Sequence, residues 1–154
     1  MRVVIQKVSK AHVEVNHTVV GSIGAGLLVL LGVHKDDNES DIDTIIKKIL
    51  ETRMFPNESG EKYFDISLKD TAMDILVVSQ FTLYANLKKG RRPSFDNAAS
   101  PIAAKNMYKK FLDKLRNSYT GNISTGIFQA HMEVSLTNTG PVTFIYDSRL
   151  DIGK

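Results

Sequence analysis

The segment Gly26-Leu27-Leu28-Val29-Leu30-Leu31-Gly32-Val33 constrains the fold more than any other. A strand with one solvated face shows an alternation of apolar and polar residues, and from Leu27 to Val33 there is none. The run is therefore expected to be a strand buried on both faces, with further structure packed on each side. It is far too short for the roughly 20 residues that cross a bilayer. Asp74 to Ser79 reads as a second core strand of the same kind and runs directly into Gln80 to Tyr84.

Around these two runs the pattern alternates between strands and helices. Arg2 to Lys7 and Ala11 to Val15 are rich in Val and Ile and read as strands, and Asn16-His17 is a plausible hairpin turn into Thr18 to Ile23. Asp36-Asp37-Asn38 offers a helix N-cap, and Ile42, Ile45, Ile46, Ile49 and Leu50 recur on one helical face. Pro56 to Gly60 reads as loop. Ser100-Pro101 starts a second helix, with a capping hydroxyl and proline at the first helical position. Its face of Ile102, Tyr108, Phe111, Leu112, Leu115 and Tyr119 is apolar, and Lys105, Lys109, Lys110 and Lys114 are expected to be solvated. Phe128 to Thr137 alternates strictly, which predicts a strand. Asn138-Thr139-Gly140-Pro141 should break it before Val142 to Tyr146 resumes. The expectation is a single α+β domain over residues 1–154, mainly antiparallel, with two main helices.

Composition limits the chemistry. The 154 residues include no cysteine, so disulfides, thiolate nucleophiles and zinc–thiolate clusters are excluded, as suits a reducing compartment. The histidines at 12, 17, 34 and 131 lack metal-ligand spacing, and no metal site is expected. His131 falls on the polar face of its strand and reads as a surface residue; His34, closing a buried strand, could face a cleft. No phosphate-binding P-loop or G-x-S-x-G elbow is present. Met1 to Lys7 contains no secretory h-region, so a cytoplasmic, non-membrane protein is expected. A net charge of +3 is a weak hint of a polyanionic partner, but Lys88, Lys89, Arg91 and Arg92 crowd around Gly90 in a basic loop of the kind that grips phosphates. A loop that merely aids solubility fits the same residues.

Two segments remain. Ser79, Gln80, Phe81 and Thr82 lie where a buried strand turns polar, and continued alternation would put Gln80 and Thr82 on one face, Ser79, Phe81 and Leu83 on the other. Hydroxyls, an amide and free backbone N–H groups are suited to orienting an ester and holding an oxyanion. Taken alone, the simpler reading is a strand end satisfying its own backbone. Gly140-Pro141, between two strand-like runs, is most simply a tight turn, since only about 5–6% of X–Pro bonds are cis.

Together, Ser79-Gln80-Phe81-Thr82-Leu83 and Asn138-x-Gly140-Pro141-Val142-Thr143 resemble the two signatures of the D-aminoacyl-tRNA deacylase family. Met1 to Gln6, Gly26 to Gly32, Lys89 to Pro93 and the run Thr125 to Met132 are similar to the family as well, so the resemblance spans nearly the whole chain. It implies a barrel-like (DTD-like) fold and a homodimer with two sites at the subunit interface, free of metal and organic cofactor. The implied reaction is hydrolysis of the ester joining a D-amino acid to the terminal adenosine of tRNA. Ser79, Gln80, Phe81 and Thr82 would be the catalytic segment, and Lys88, Lys89, Arg91 and Arg92 would bind tRNA. Gly140-Pro141, cis in the family and inserted into the partner's pocket, would set chiral selectivity with Ala130, Met132 and Lys7.

The exclusion has a physical logic. D and L substrates exchange a hydrogen and a side chain at one carbon, and backbone that blocks the L direction serves every D-amino acid. Glycine has nothing to exclude, so glycyl-tRNA should be accepted too. No base stands beside Thr82 within Ser79 to Leu83, which favours attack by water, with help from the tRNA 2′-hydroxyl, over a threonine nucleophile. Lys7 replaces the family's usual arginine and lacks its planar fork, which leaves open a more permissive deacylase paralogue. A non-catalytic RNA-binding dimer and a structural or regulatory dimer are the alternatives.

Overall fold

The strands form one curled six-stranded sheet backed by two helices, with a separate two-stranded pair beside it. The computed structural model describes residues 1–88 and 90–150. Its strands are β1 (Arg2–Val15), β2 (Thr18–Ile23), β3 (Gly26–Gly32), β4 (Arg53–Phe55), β5 (Ile66–Ser67), β6 (Asp74–Ser79), β7 (Ile123–Thr125) and β8 (Glu133–Asp147). The helices are α1 (Glu39–Glu51) and α2 (Pro101–Ser118). The main sheet runs β2-β1-β3-β6-β7, with β8 paired to β1 along almost its whole length. Pairings of β1 are antiparallel, while β3–β6 and β6–β7 are parallel.

Two glycines let the backbones close up. A Cβ at Gly26 would stand 1.9 Å from the Asp74 carbonyl oxygen, and one at Gly21 2.3 Å from that of Thr125. The second approach brings β2 against β7, where Ser124 Oγ donates to the Ser22 carbonyl at 2.8 Å, and the sheet nearly closes into a barrel. Val8, Ala11, Val13, Ile23, Leu28, Leu76 and Val78 fill its interior. The opposite face, with Val3, Ile5, Leu27, Val29, Leu31, Ile75 and Val77, packs on α1 and α2. β3 thus contributes residues to both cores, as its unbroken apolar run requires. Each fully buried side chain of this size contributes roughly 1.5–3 kcal/mol.

The helices begin where capping chemistry says they should. Asn38 Oδ1 accepts from the Ser40 N–H and the Asn38 N–H donates to Asp41 Oδ2, both at 2.8 Å, a reciprocal capping box. Ser100 caps α2 with Pro101 behind it. Lys110 and Lys114, expected to be solvated, reach Glu39 and Asp43 of α1 at 2.6 and 2.7 Å. The pairs are exposed, so each contributes little.

Four expectations need correction. Arg2 to Lys7 and Ala11 to Val15 are one strand, because register shifts between Gln6 and Lys10 flip its parity without ending it. Phe128 to Met132 is not strand; Gln129 has φ 64° and β8 starts only at Glu133. Asn138 to Pro141 does not end a strand, for it bulges out within β8. Beyond Ser79 the chain leaves the sheet in a 3₁₀ turn, Phe81–Tyr84, so the expected two-face alternation of Gln80 to Leu83 does not occur. Among the described residues no helix is long and apolar enough to cross a membrane.

Candidate active site

The 3₁₀ turn follows from the end of the β3–β6 ladder. Leu31 pairs with Ser79, and the Gln80 N–H makes one last bond to the Leu31 carbonyl at 2.8 Å. Gln80 then departs from strand geometry (φ −144°, ψ 83°). Its carbonyl accepts from the Leu83 N–H at 3.3 Å, and the Ala85 N–H closes on the Thr82 carbonyl at 3.0 Å. The N–H groups of Phe81 and Thr82 open the turn and find no acceptor inside it. The Gln80 side-chain amide donates to Thr82 Oγ1, so the hydroxyl has an amide beside it where a nucleophile would need a base.

This turn forms one wall of a cleft of about 740 Å³. Ser79, Gln80 and Phe81 line that wall. Phe128 to Met132, Phe95, Ala98, Ala99 and the start of α2 complete the lining. Phe81 and Phe95 meet edge to face with ring centres 5.0 Å apart at the mouth, and Phe128 leans on Tyr108 at 5.6 Å. The Tyr108 hydroxyl donates to the Val77 carbonyl at 3.0 Å, and burial holds its pKa above the ordinary tyrosine value. It is a fixed neutral donor and no base.

The structure therefore brings Ser79, Gln80, Phe81, Ala130 and Met132 to one cleft, with Thr82 just behind its wall. His131, expected at the surface, is exposed on the cleft rim. His34 does not line the cleft; its ring packs edge-on against Tyr84 at 5.1 Å. Phe95, Ala98, Ala99, Tyr108 and Phe128 were not foreseen as site residues. The one signal for the first three was an aromatic and small apolar side chains inside an otherwise polar stretch.

Gly140-Pro141 lies elsewhere. Between the pairs Gln6–Thr143 and Val8–Asn138, β8 has residues 139–142 where β1 has only Lys7. The register thus brings Lys7 and the Gly140-Pro141 segment to one point of the ladder. The peptide bond between Gly140 and Pro141 is cis, and Gly140 has φ 119°, a conformation that requires glycine. Asn138 ties the loop shut: Oδ1 accepts from the Val142 N–H at 3.2 Å and Nδ2 donates to Thr143 Oγ1 at 3.0 Å. This accounts for the pattern Asn138-x-Gly140-Pro141-Val142-Thr143. Val134, the last cleft residue of β8, precedes Asn138 by about 13 Å of strand. Gly140 and Pro141 do not line their own chain's cleft.

The basic loop stands next to the mouth. Asn86 and Ser94 bond each other through both backbone pairs, at 2.8 and 3.1 Å, and Phe95 follows immediately. Lys88, Arg91 and Arg92 are exposed on the loop so closed; Lys89 lies outside the described residues. Among the described residues no cluster of His, Cys, Asp or Glu could hold a metal ion.

The family model for D-Tyr-tRNA(Tyr) deacylase matches residues 4–147. The D-aminoacyl-tRNA deacylase of Aquifex aeolicus is 55% identical over 149 residues, covering 97% of this chain and 99% of the relative. That of Clostridioides difficile is 49% identical, covering 96% and 97%. Among solved structures, the c-Myc DNA Unwinding Element Binding Protein superposes with a TM-score of 0.91 at 38% identity, covering 96% of this chain and 98% of its own. A probable eukaryotic D-amino acid tRNA deacylase shares the fold with a TM-score of 0.78 at 21% identity, covering 94% and 97%. The chain belongs to the D-aminoacyl-tRNA deacylase family.

Proposed function

We propose that this protein hydrolyses the ester between a D-amino acid, or glycine, and the 3′ end of tRNA, and that it leaves L-aminoacyl-tRNA intact. The observation that carries the reading is the convergence of Ser79 to Phe81 and Phe128 to Met132 on one cleft, beside a basic loop, in a chain of this family. The ester enters the cleft, and the Phe81 and Thr82 N–H groups stabilise the oxyanion as water adds to the carbonyl carbon. Collapse breaks the bond to the ribose oxygen, which leaves with a proton, giving free amino acid and tRNA. The tRNA 2′-hydroxyl assists in moving that proton.

Selectivity comes from a second copy of the chain. Its Gly140-Pro141 loop enters this cleft and blocks the L side-chain direction, with Ala130 and Met132 shaping the space left for the α-carbon. Two features support a homodimer. The loop lies away from its own cleft, and among the described residues β8 has a ladder partner, β1, on one side, which leaves the outer edge of 133–145 for another chain. Beside that edge Ile145 is 70% exposed and Phe144, 37% exposed, meets the exposed Phe64 at 5.9 Å. Phosphate contacts carry no sequence information, so the basic loop is assigned to the tRNA backbone and base identity is read elsewhere.

Matched D-tyrosyl-, L-tyrosyl- and glycyl-tRNA test this directly. Hydrolysis of the first and third with protection of the second is expected. Equal protection of glycyl- and L-tyrosyl-tRNA would contradict exclusion, and tRNA binding with no turnover would favour the RNA-binding alternative. For the dimer, a chain with a blocked cleft (Ala130→Trp) is mixed with one lacking residues 139–142. Alone, the first is inactive and the second deacylates D- and L-tyrosyl-tRNA alike; with the first in excess, protection of L-tyrosyl-tRNA should return, because the second chain's open cleft then receives an intact loop.

A further inference from the structure

We infer that Arg2 is a positioning residue for this reaction, fixing the far end of the Phe81–Tyr84 turn so that its opening N–H groups are held in register with the ester. The inference rests on the reading of that turn as the reaction centre.

The turn is poorly held by its own bonds. Four residues of 3₁₀ geometry close through weakly aligned hydrogen bonds, here Leu83 N–H to the Gln80 carbonyl at 3.3 Å and Ala85 N–H to that of Thr82. The entry end is anchored to β3 by the Gln80–Leu31 bond. At the exit end the anchor is Arg2. Its Nη1 donates to the Leu83 carbonyl at 2.6 Å, and its Nε donates to Asp147 Oδ2 at 2.8 Å. The guanidinium carbon also lies 4.9 Å from the centre of the Tyr84 ring, whose other neighbour is the His34 edge. A guanidinium at the last carbonyls of a turn complements their partial negative charge.

The sheet register explains why one side chain can do all three. Arg2 pairs with Asp147 on β8 and with Gly32 on β3, so it emerges beside the glycine against which the turn packs. Asp147 is buried and aims the guanidinium. Only a planar fork can bond two acceptors in fixed directions while lying on a ring; a lysine ammonium cannot. Arg2 also borders a shallow hollow with Asn86 and Lys88, so a direct contact with a substrate phosphate is the competing role.

Steady-state kinetics on D-tyrosyl-tRNA separate the two. Arg2→Met is expected to lower kcat on the order of tenfold or more at unchanged KM, and Arg2→Lys should fall between. Guanidinium ion, added well below denaturing concentration, should partly restore Arg2→Met. Ile49→Val, at a buried α1 position far from the turn, controls for lost stability and should keep kcat. Should Arg2→Met fail to fold, Asp147→Asn replaces it, keeping the guanidinium but loosening its aim, with a smaller loss of kcat expected. Turnover by Arg2→Met within twofold of the parent, or a rise in KM at constant kcat, overturns the inference while leaving the reading of the cleft intact. No turnover by the unaltered chain would remove both.

Discussion

Gly32→Ala probes the same turn from its inner side. A Cβ at Gly32 would lie 3.1 Å from the Gln80 carbonyl oxygen and 3.1 Å from Leu83 Cβ, against 3.4 Å for the near edge of ordinary contact, so the turn must give by about 0.3 Å. Its backbone has no positive φ, so alanine meets no conformational penalty there. Misplacing a reacting group by about 1 Å costs on the order of a hundredfold in rate. Scaled linearly in free energy, a shift of about 0.3 Å costs roughly fourfold in kcat. Overpacking of about 1–3 kcal/mol is partly offset by the roughly 0.4–1 kcal/mol that alanine gains over glycine through the unfolded chain. A modest fall in Tm is therefore expected. Saturating D-aminoacyl-tRNA and the rate of amino-acid release measure the effect, with thermal unfolding alongside. A kcat equal to the parent's at a lowered Tm would contradict this role of the turn, because it would have moved without consequence for the chemistry.

Other perturbations separate selectivity, binding and stability. Asn138→Ala removes both side-chain bonds across the 139–142 loop, each contributing about 1 kcal/mol. The D-to-L ratio of deacylation rates should fall while turnover of glycyl-tRNA persists, as paired assays would show. Replacing Lys88, Arg91 and Arg92 together with Ala should raise KM for tRNA and flatten the dependence of log affinity on log salt by roughly 2–3, readable by filter binding. Burial opposes ionisation of Asp41, but the Ser148 hydroxyl, the Asn38 N–H and the N-terminal amine outweigh it and hold its pKa below the ordinary aspartate value. A folded pKa below the unfolded one contributes stability that is complete above about pH 5 and lost as the pH falls below about 4. Asp41→Asn should therefore lower Tm near neutrality and show a shallower acid limb in a Tm-versus-pH series.

What the sequence made legible was whatever local chemistry decides. The Asn16-His17 turn, with φ 50° and 62°, the Asn38 and Ser100 caps, and the doubly buried β3 follow from residue type and spacing. The misses share a different cause. Phe128 to Met132 alternates as a strand does, yet tertiary packing uses it as a cleft wall, with Phe128 turned onto Tyr108. Gln80 to Leu83 would continue β6 on pattern alone, but β3 ends at Gly32 and offers no further ladder. Asn138 to Pro141 carries the residues of a strand break and is instead held inside one ladder by the Asn138 side chain. β4 and β5, of three and two residues, are too short for any period to show. The Ser79 to Phe81 side of the cleft was readable as a motif, whereas Phe95, Ala98 and Tyr108 come from segments remote in sequence. The separation of Gly140-Pro141 from its own cleft shows only in the register.

On the proposed reading the turn acts through its backbone, with no side-chain nucleophile. Turnover of D-tyrosyl-tRNA by Thr82→Ala, under conditions where tRNA binding is verified, tests it most directly. Turnover should continue, reduced only by as much as losing the Gln80–Thr82 bond loosens the turn. Abolished turnover with binding intact, restored by Thr82→Ser, would make Thr82 the nucleophile and contradict it.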